Sequence, residues 1–298
     1  MLTTREHPDT VNVMETLNER FELVGKYDPT SLATRFKASI ERELRFCEMF
    51  QNERPKVAIS HGSVELCRTA FGLGMYVIST GDTVYTRANW LIVPLTDTSV
   101  ISKAIPKAIY RKFGAKRIVQ FDGVDEVAWV RPLKRRRTSE YDHPLIVVRQ
   151  SEFKASYMKG EDVTLDIAKK LTRIGNVIFL SRYKKEKTRS LVVPNGYVDS
   201  LAIAGEADLV VGVGGTIARE AALQGTPSIV IPTLGWSHVN AYVSKKGFPL
   251  FRVEPANVFR CAKKYLGQHI ATDKMLAELE NPVDVIEHLV EHQRLHPS

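Results

Sequence analysis

Residues Asp208-Leu209-Val210-Val211-Gly212-Val213-Gly214-Gly215-Thr216-Ile217-Ala218-Arg219-Glu220 run from an apolar stretch through a glycine turn into a helical pattern. That order suits anion binding. Glycine permits positive φ and removes the Cβ that would hold a ligand off the backbone. The first free N–H groups of the helix then point out of the strand's carboxyl end. Thr216 either caps the helix or offers its hydroxyl to a phosphate oxygen. Glu220, four residues on and on the same helical face, is placed to accept hydrogen bonds from a ribose diol. The other reading is structural: Gly214 and Gly215 allow close strand–helix packing and Glu220 is a surface charge. A glycine turn alone does not choose between them.

Four other places could take part. Ser60-His61-Gly62-Ser63 ends a strand-like run and opens a helix, so His61 and Ser63 should sit at a sheet's carboxyl edge, where open α/β folds bind ligands. His61 is then a general base or a phosphate or sugar contact, or merely a neighbour of the helix cap. Asp82, in Ser79-Thr80-Gly81-Asp82-Thr83, either caps the helix beyond it or deprotonates an acceptor hydroxyl. Arg149, ending a later strand, and Lys154, five residues on, supply positive charge near the glycine turn. Ser181-Arg182 could border a base pocket, and Trp236, before Ser237-His238, either stacks on a base or sugar or packs in the core.

These residues need elements to position them. Apolar runs at Val57–Ile59, Tyr76–Ile78, Leu91–Val93, Leu145–Val148, Val177–Leu180, Leu209–Val211 and Ile229–Ile231 read as short buried strands. Helical patterns lie between them, near Val163–Leu171, Val198–Ala204 and Ile217–Leu223. Leu32, Phe36, Ile40, Leu44 and Cys47 recur at helical spacing as an apolar stripe on a long helix that Pro55 closes. Strand and helix in alternation imply parallel sheets covered on both faces. A polar, basic stretch at Arg131–Pro144 separates the halves. The expected domains are 1–136 and 137–280. A last helix at 281–298, opened by Asn281-Pro282, reaches back onto the first domain.

Composition narrows the class. Of the 298 residues 44% are hydrophobic and 26% charged, as in a globular chain. No apolar run is long enough for a membrane helix and no signal-peptide pattern opens the chain, so a cytoplasmic protein is expected. Cys47, Cys67 and Cys261 are widely spaced and read as small buried apolar side chains. No metal or other cofactor is expected. The formal charge of +8 concentrates in Lys134-Arg135-Arg136-Arg137 and Lys184-Lys185-Glu186-Lys187. Neither run carries the aromatic interleaving or groove-entering helix of a nucleic-acid surface. No nucleic-acid partner is expected, while peripheral contact with a membrane stays open.

The segment Gly214-Gly215-Thr216 with Glu220-Ala221, followed by Gly225-Thr226-Pro227-Ser228, resembles the nucleotide-binding segment of GT-B glycosyltransferases and of UDP-N-acetylglucosamine 2-epimerases. Nearly the whole chain is similar to the domain-of-unknown-function 354 family, a largely archaeal group near those enzymes. The matching pieces are Val57–Ser63, Ala70–Gly74, Lys112–Lys116, Val148-Arg149 with Lys154-Ala155-Ser156, the glycine turn and Gly225-Thr226-Pro227. The resemblance implies two Rossmann-like doubly wound parallel-sheet domains facing a cleft. It also implies a metal-independent glycosyltransferase-like protein that takes a UDP-linked sugar and an unknown acceptor. Arg149, Lys154, Gly214, Gly215 and Thr216 would hold the diphosphate and Glu220 the ribose, with His61 or Asp82 catalytic and Ser63 beside them. The epimerase comparison puts a serine at Gly214 and an acidic residue at Ser63, so epimerisation is the weaker implication. A binding protein without turnover is the other. Within the resemblance the chain starts at the family's second strand, so the first domain is expected to lack its first strand–helix unit. Either the start is misassigned or the chain is a shortened homologue.

Overall fold

Among the residues described by the computed structural model (1–28, 30–132, 141–151, 162–181, 191–232 and 237–295), every paired strand runs parallel to its neighbour. The chain divides into two units, Met1–Phe121 with Val283–Ser298, and Asp122–Pro282.

The first unit alternates β1 (Thr3–Glu6), α1 (Pro8–Thr16), β2 (Glu22–Lys26), α2 (Leu32–Phe50), β3 (Val57–His61), α3 (Val64–Gly72) and β4 (Tyr76–Thr80). It continues through α4 (Asn89–Ile92), β5 (Thr98–Ser102), α5 (Lys107–Lys112) and β6 (Arg117–Phe121). The second holds α6 (Val127–Val130), β7 (Leu145–Arg149), α7 (Thr164–Leu171), β8 (Asn176–Leu180), α8 (Ser200–Glu206) and β9 (Leu209–Gly212). Then follow α9 (Thr216–Leu223), β10 (Ser228–Val230), α10 (His238–Lys245), β11 (Leu250–Arg252), α11 (Val258–Tyr265) and α12 (Asp273–Ala277). The last helix, α13 (Pro282–Leu295), returns to the first unit, where Leu289 packs with Ile78, Val100 and Phe121.

The second unit is one sheet of order β11-β10-β9-β7-β8. The chain lays β8 on one side of β7, then crosses to the other side for β9, so the winding reverses between β7 and β9. Ile167, Leu171 and Val258 cover one face and Ile203, Ala204, Ile217 and Ala221 the other. Helices on both faces explain why its strands are uninterrupted apolar runs.

The first unit holds two sheets, β1-β2 and β3-β4-β5-β6. Successive residues of β3 point to opposite faces. Ala58 lies in a cluster with Val24, Phe46, Cys67 and Ala70, while Val57 packs on the side of Leu289.

Three expectations from sequence change. Leu91-Ile92-Val93 is helical rather than a strand, running through α4 into a 3-10 turn at Val93–Leu95. Three apolar residues define no period, and Pro94 removes a ladder donor. The stripe Leu32, Phe36, Ile40 and Leu44 faces solvent, with Phe36 68% exposed. The buried side of α2 is Arg42, Phe46 and Phe50 instead. Two apolar rows at spacing four share this helix, and only tertiary packing selects one. Cys67 is buried and Cys261 half-buried, but Cys47, on the solvent side of α2, is exposed. No described helix is long and apolar enough to cross a membrane.

Candidate functional site

The turn after β9 lies where the second sheet reverses. Val148 of β7 pairs with Val211 of β9, so Arg149 and Gly212 end neighbouring strands side by side. A Cβ on Gly212 would sit 3.5 Å from the Cβ of Arg149. The sequence order alone does not show this adjacency, because sixty or so residues and a whole strand–helix pair separate the two. In open α/β sheets the crevice at such a reversal, outside the carboxyl ends of the strands, is where ligands bind.

None of Gly212, Gly214 and Gly215 adopts positive φ, so left-handed backbone is not what the turn needs glycine for. Close approach is. A Cβ on Gly215 would collide with the guanidinium of Arg219, whose Cζ lies 2.8 Å from that point. A Cβ on Gly214 would meet nothing within 4 Å. Gly214 is thus open toward solvent, and Gly215 is closed against its own helix. Gly215 is the N-cap of α9 and has no side chain with which to cap it. Thr216 is the first helical residue, exposed, and does not serve as cap. Gly215 therefore supplies no side-chain acceptor to the leading N–H groups of α9, a condition under which a helix start attracts an anion.

Beneath the turn lies a buried polar cluster. Arg219 donates through Nε and Nη2 to Oε1 of Glu126, both at 2.7 Å, and through Nη1 to Oδ1 of Asn240 at 3.0 Å. Glu220 is 4% exposed. Its Oε1 accepts from Nε1 of Trp129 and its Oε2 from Oγ of Ser200, each at 2.9 Å. Burial pushes the Glu220 carboxyl up; the bonds from Trp129 and Ser200 oppose this, and the charges of Glu126 and Asp199 add to it. Glu220 is therefore not the surface charge of the structural reading, and both of its oxygens are already engaged. Trp129, Ser200, Arg219 and Glu126 carried no signal in sequence. Trp129 and Glu126 sit ninety or so residues away, and Arg219 reads as any helical arginine.

In the first unit, His61 ends β3 and is exposed, with Nδ1 2.7 Å from Oγ1 of Thr80 on β4. Gly62 follows with φ +69, a left-handed turn for which glycine is the natural residue. Ser63 is the N-cap of α3, accepting from the amide of Leu66 at 3.3 Å and donating to Oε2 of Glu65 at 3.1 Å. Arg42 reaches the same carboxylate at 3.2 Å. The Ser63 hydroxyl is thus held in local structure. Asp82 does not cap the next helix, which starts at Asn89 with Ala88 in the cap position; its Oδ1 accepts from Oγ1 of Thr83 at 2.9 Å. Lys154 lies outside the described residues, as do Arg182, Trp236 and the two basic runs. Among the described residues no group of three or more His, Cys, Asp or Glu side chains could hold a metal ion.

Two α/β units with parallel sheets, the second offering an uncapped helix start at its reversal point, define a GT-B-like protein of the two-domain Rossmann-like class. The chain belongs to the DUF354 family, described as a protein of unknown function, whose model matches residues 1–294. A relative in Methanocaldococcus jannaschii, Uncharacterized protein MJ0665, is 29% identical, covering 96% of this chain and 88% of that one. Among solved structures, the MnaA–UDP co-structure from S. aureus aligns with a TM-score of 0.69 and 13% identity, over 100% of this chain and 89% of that one. A UDP-N-acetylglucosamine 2-epimerase aligns with a TM-score of 0.67 and 15% identity, over 99% and 88%. The glycosyltransferase of kitacinnamycin aligns with a TM-score of 0.58 and 14% identity, over 98% and 91%. At such identities these likenesses concern the fold.

Proposed function

We propose that the protein binds a nucleotide sugar, UDP-linked, through its second unit and transfers the sugar to an acceptor hydroxyl. The observation that carries this reading is the placement of Arg149 beside Gly212, where the chain enters the open Gly214–Thr216 turn at the β7/β9 reversal. Glycosyl transfer breaks the bond from the anomeric carbon to the diphosphate, and the electron pair goes to the diphosphate oxygen. A cation and a helix N-terminus are what that growing negative charge requires where no metal is held. In this reading Arg149, Gly214, Gly215 and Thr216 hold the diphosphate. A ribose hydroxyl can donate to Glu220 as Ser200 does now, so the diol would replace the Ser200 bond while Trp129 keeps the other oxygen in place. The acceptor oxygen forms the new bond to the anomeric carbon as its proton passes to a base.

Titration calorimetry with uridine diphosphate is the test. Heat of binding is expected for the native chain, with loss in Glu220→Ala and in Gly214→Val, whose side chain would fill the open approach. No heat with any nucleoside diphosphate at millimolar concentration overturns the proposal. Binding with no turnover across a panel of nucleotide sugars and acceptors would leave a binding protein in place of an enzyme.

A further inference from the structure

Along α2, Leu32, Phe36, Ile40 and Leu44 are 78%, 68%, 48% and 58% exposed. They follow one another at spacing four, so they form one continuous apolar ridge. Cys47, also exposed, extends it by a further turn. The helix beneath the ridge is firmly built. Ser31 and Thr34 close its start with a capping box, and Phe46 and Phe50 bury its other side. Large apolar side chains exposed singly are ordinary, but a contiguous strip marks a surface that something covers.

The charges of α2 give a second, independent observation, because they are ordered against the helix's own dipole. Arg35 lies in the first turn, which holds no acidic residue, and Lys37 follows it. Glu48 lies in the last turn, which holds no basic residue. A helix by itself favours the reverse, with acids at its start and bases at its end. The exposed pair Lys37–Glu41, at 3.9 Å, likewise runs in the less favourable order, lysine first. An order that works against a helix alone suits a helix laid beside it in the opposite direction.

We propose that the ridge is covered by a second copy of this chain, α2 against α2, antiparallel about a two-fold axis. Lys37, Glu41, Arg45 and Glu48 each follow one of Phe36, Ile40, Leu44 and Cys47 by one position, and so line the same flank of the ridge. In a two-fold antiparallel pair that flank meets itself. One register sets Lys37 against the partner's Glu48 and Glu41 against the partner's Arg45. Within one residue of that register, Ile40 lies on the partner's Leu44 and Phe36 beside the partner's Cys47. A parallel pair would instead set each charge against its like. Alternating signs on this flank also suit a protein surface better than an anionic membrane, which favours a polar face rich in Lys and Arg.

The test is sedimentation equilibrium of the 298-residue chain over a rising concentration series. The mass is expected to climb from 33.6 kDa toward twice that value. Phe36→Ser should weaken the association at least about tenfold, since it removes the largest side chain of the ridge. Lys37→Glu and Glu48→Lys should each weaken it several-fold, and the two together should restore it, because the swapped charges again meet their opposites. All three positions are exposed, so urea unfolding of dilute protein should show each variant folded as the native chain is. A mass that stays at 33.6 kDa at the highest concentration overturns the proposal, including when that monomer floats with vesicles of anionic lipid. A dimer that Phe36→Ser leaves intact overturns it as well. A charge-swapped double variant no tighter than either single one overturns the antiparallel pairing.

Discussion

Arg219 places two of its guanidinium nitrogens on a single oxygen of Glu126, both at 2.7 Å, and thereby fills the space that a side chain at position 215 would need. Two glycines one residue apart are thus required for different reasons. Gly215 faces a buried ion pair, whereas Gly214 faces open space.

The two glycines should separate in mutagenesis. Gly215→Ala pushes a methyl group into the Arg219 guanidinium and is expected to cost about 1–3 kcal/mol, as overpacking does. Gly214→Ala should leave stability within about 0.5 kcal/mol and weaken uridine diphosphate binding roughly tenfold, about 1.4 kcal/mol. Urea unfolding and calorimetry on both variants measure this. Equal stability of the two would contradict the division of roles.

Breaking the pair beneath the turn is expected to be expensive. Glu126→Ala leaves a buried guanidinium without its carboxylate, a loss of about 3–5 kcal/mol. Replacing both partners, as Arg219→Met with Glu126→Leu, should recover much of that, because no charge is then stranded. A double variant less stable than Glu126→Ala would show that the pair is not self-contained.

Glu220 gives a pH signature. Burial raises its carboxyl, so the protonated form suits the fold better. Its favourable contribution is fully present below the unfolded value of about 4.3 and is lost as pH rises through the raised folded value. Gln at this position resembles the protonated acid: its carbonyl can accept from Trp129 and its amide can donate to Ser200. The melting temperature of Glu220→Gln should therefore match the native chain at pH 4 and exceed it increasingly toward neutrality. A gap independent of pH would remove the explanation.

Asp208 has the opposite sign. It opens β9 and ties it to β7, accepting from the amide of Leu145 at 2.7 Å and facing Nδ1 of His143 at 2.5 Å. Burial alone would raise this carboxyl, but the bonds from His143, Leu145 and His269 hold it below the ordinary range. Its stabilisation is present above the unfolded value of about 3.9 and is lost as pH falls through the lower folded value. Asp208→Asn should cost about 1–3 kcal/mol at neutral pH, with the difference closing as pH falls through the lowered folded value. Thermal melts from pH 2 to 7 would show whether the two curves converge.

The two apolar rows of α2 can be told apart by substitution. Phe46 is fully buried, and Phe46→Ala should cost about 3–5 kcal/mol. In dilute protein Phe36→Ser, on the exposed row, should change stability by no more than about 0.5 kcal/mol. A large loss at Phe36 would mean that the row is covered even at that dilution.

Much of this protein is local in origin and so is legible in its sequence. Buried strands such as Leu145–Val148 and Leu209–Val211 are short apolar runs rich in β-branched residues, and the glycine turn with the helix after it follows from residue types at fixed spacing. Ser63 as a cap and Gly62 in a left-handed turn are likewise local properties. Tertiary structure decided everything that depends on which surfaces meet. Strand order brought Arg149 beside Gly212, packing buried Phe46 and exposed Phe36, and Trp129 and Ser200 turned Glu220 from a possible surface charge into a buried acceptor. Spacing along a chain fixes which residues share a face, but the partner of that face is chosen by the sum of distant apolar contacts, which no local pattern encodes.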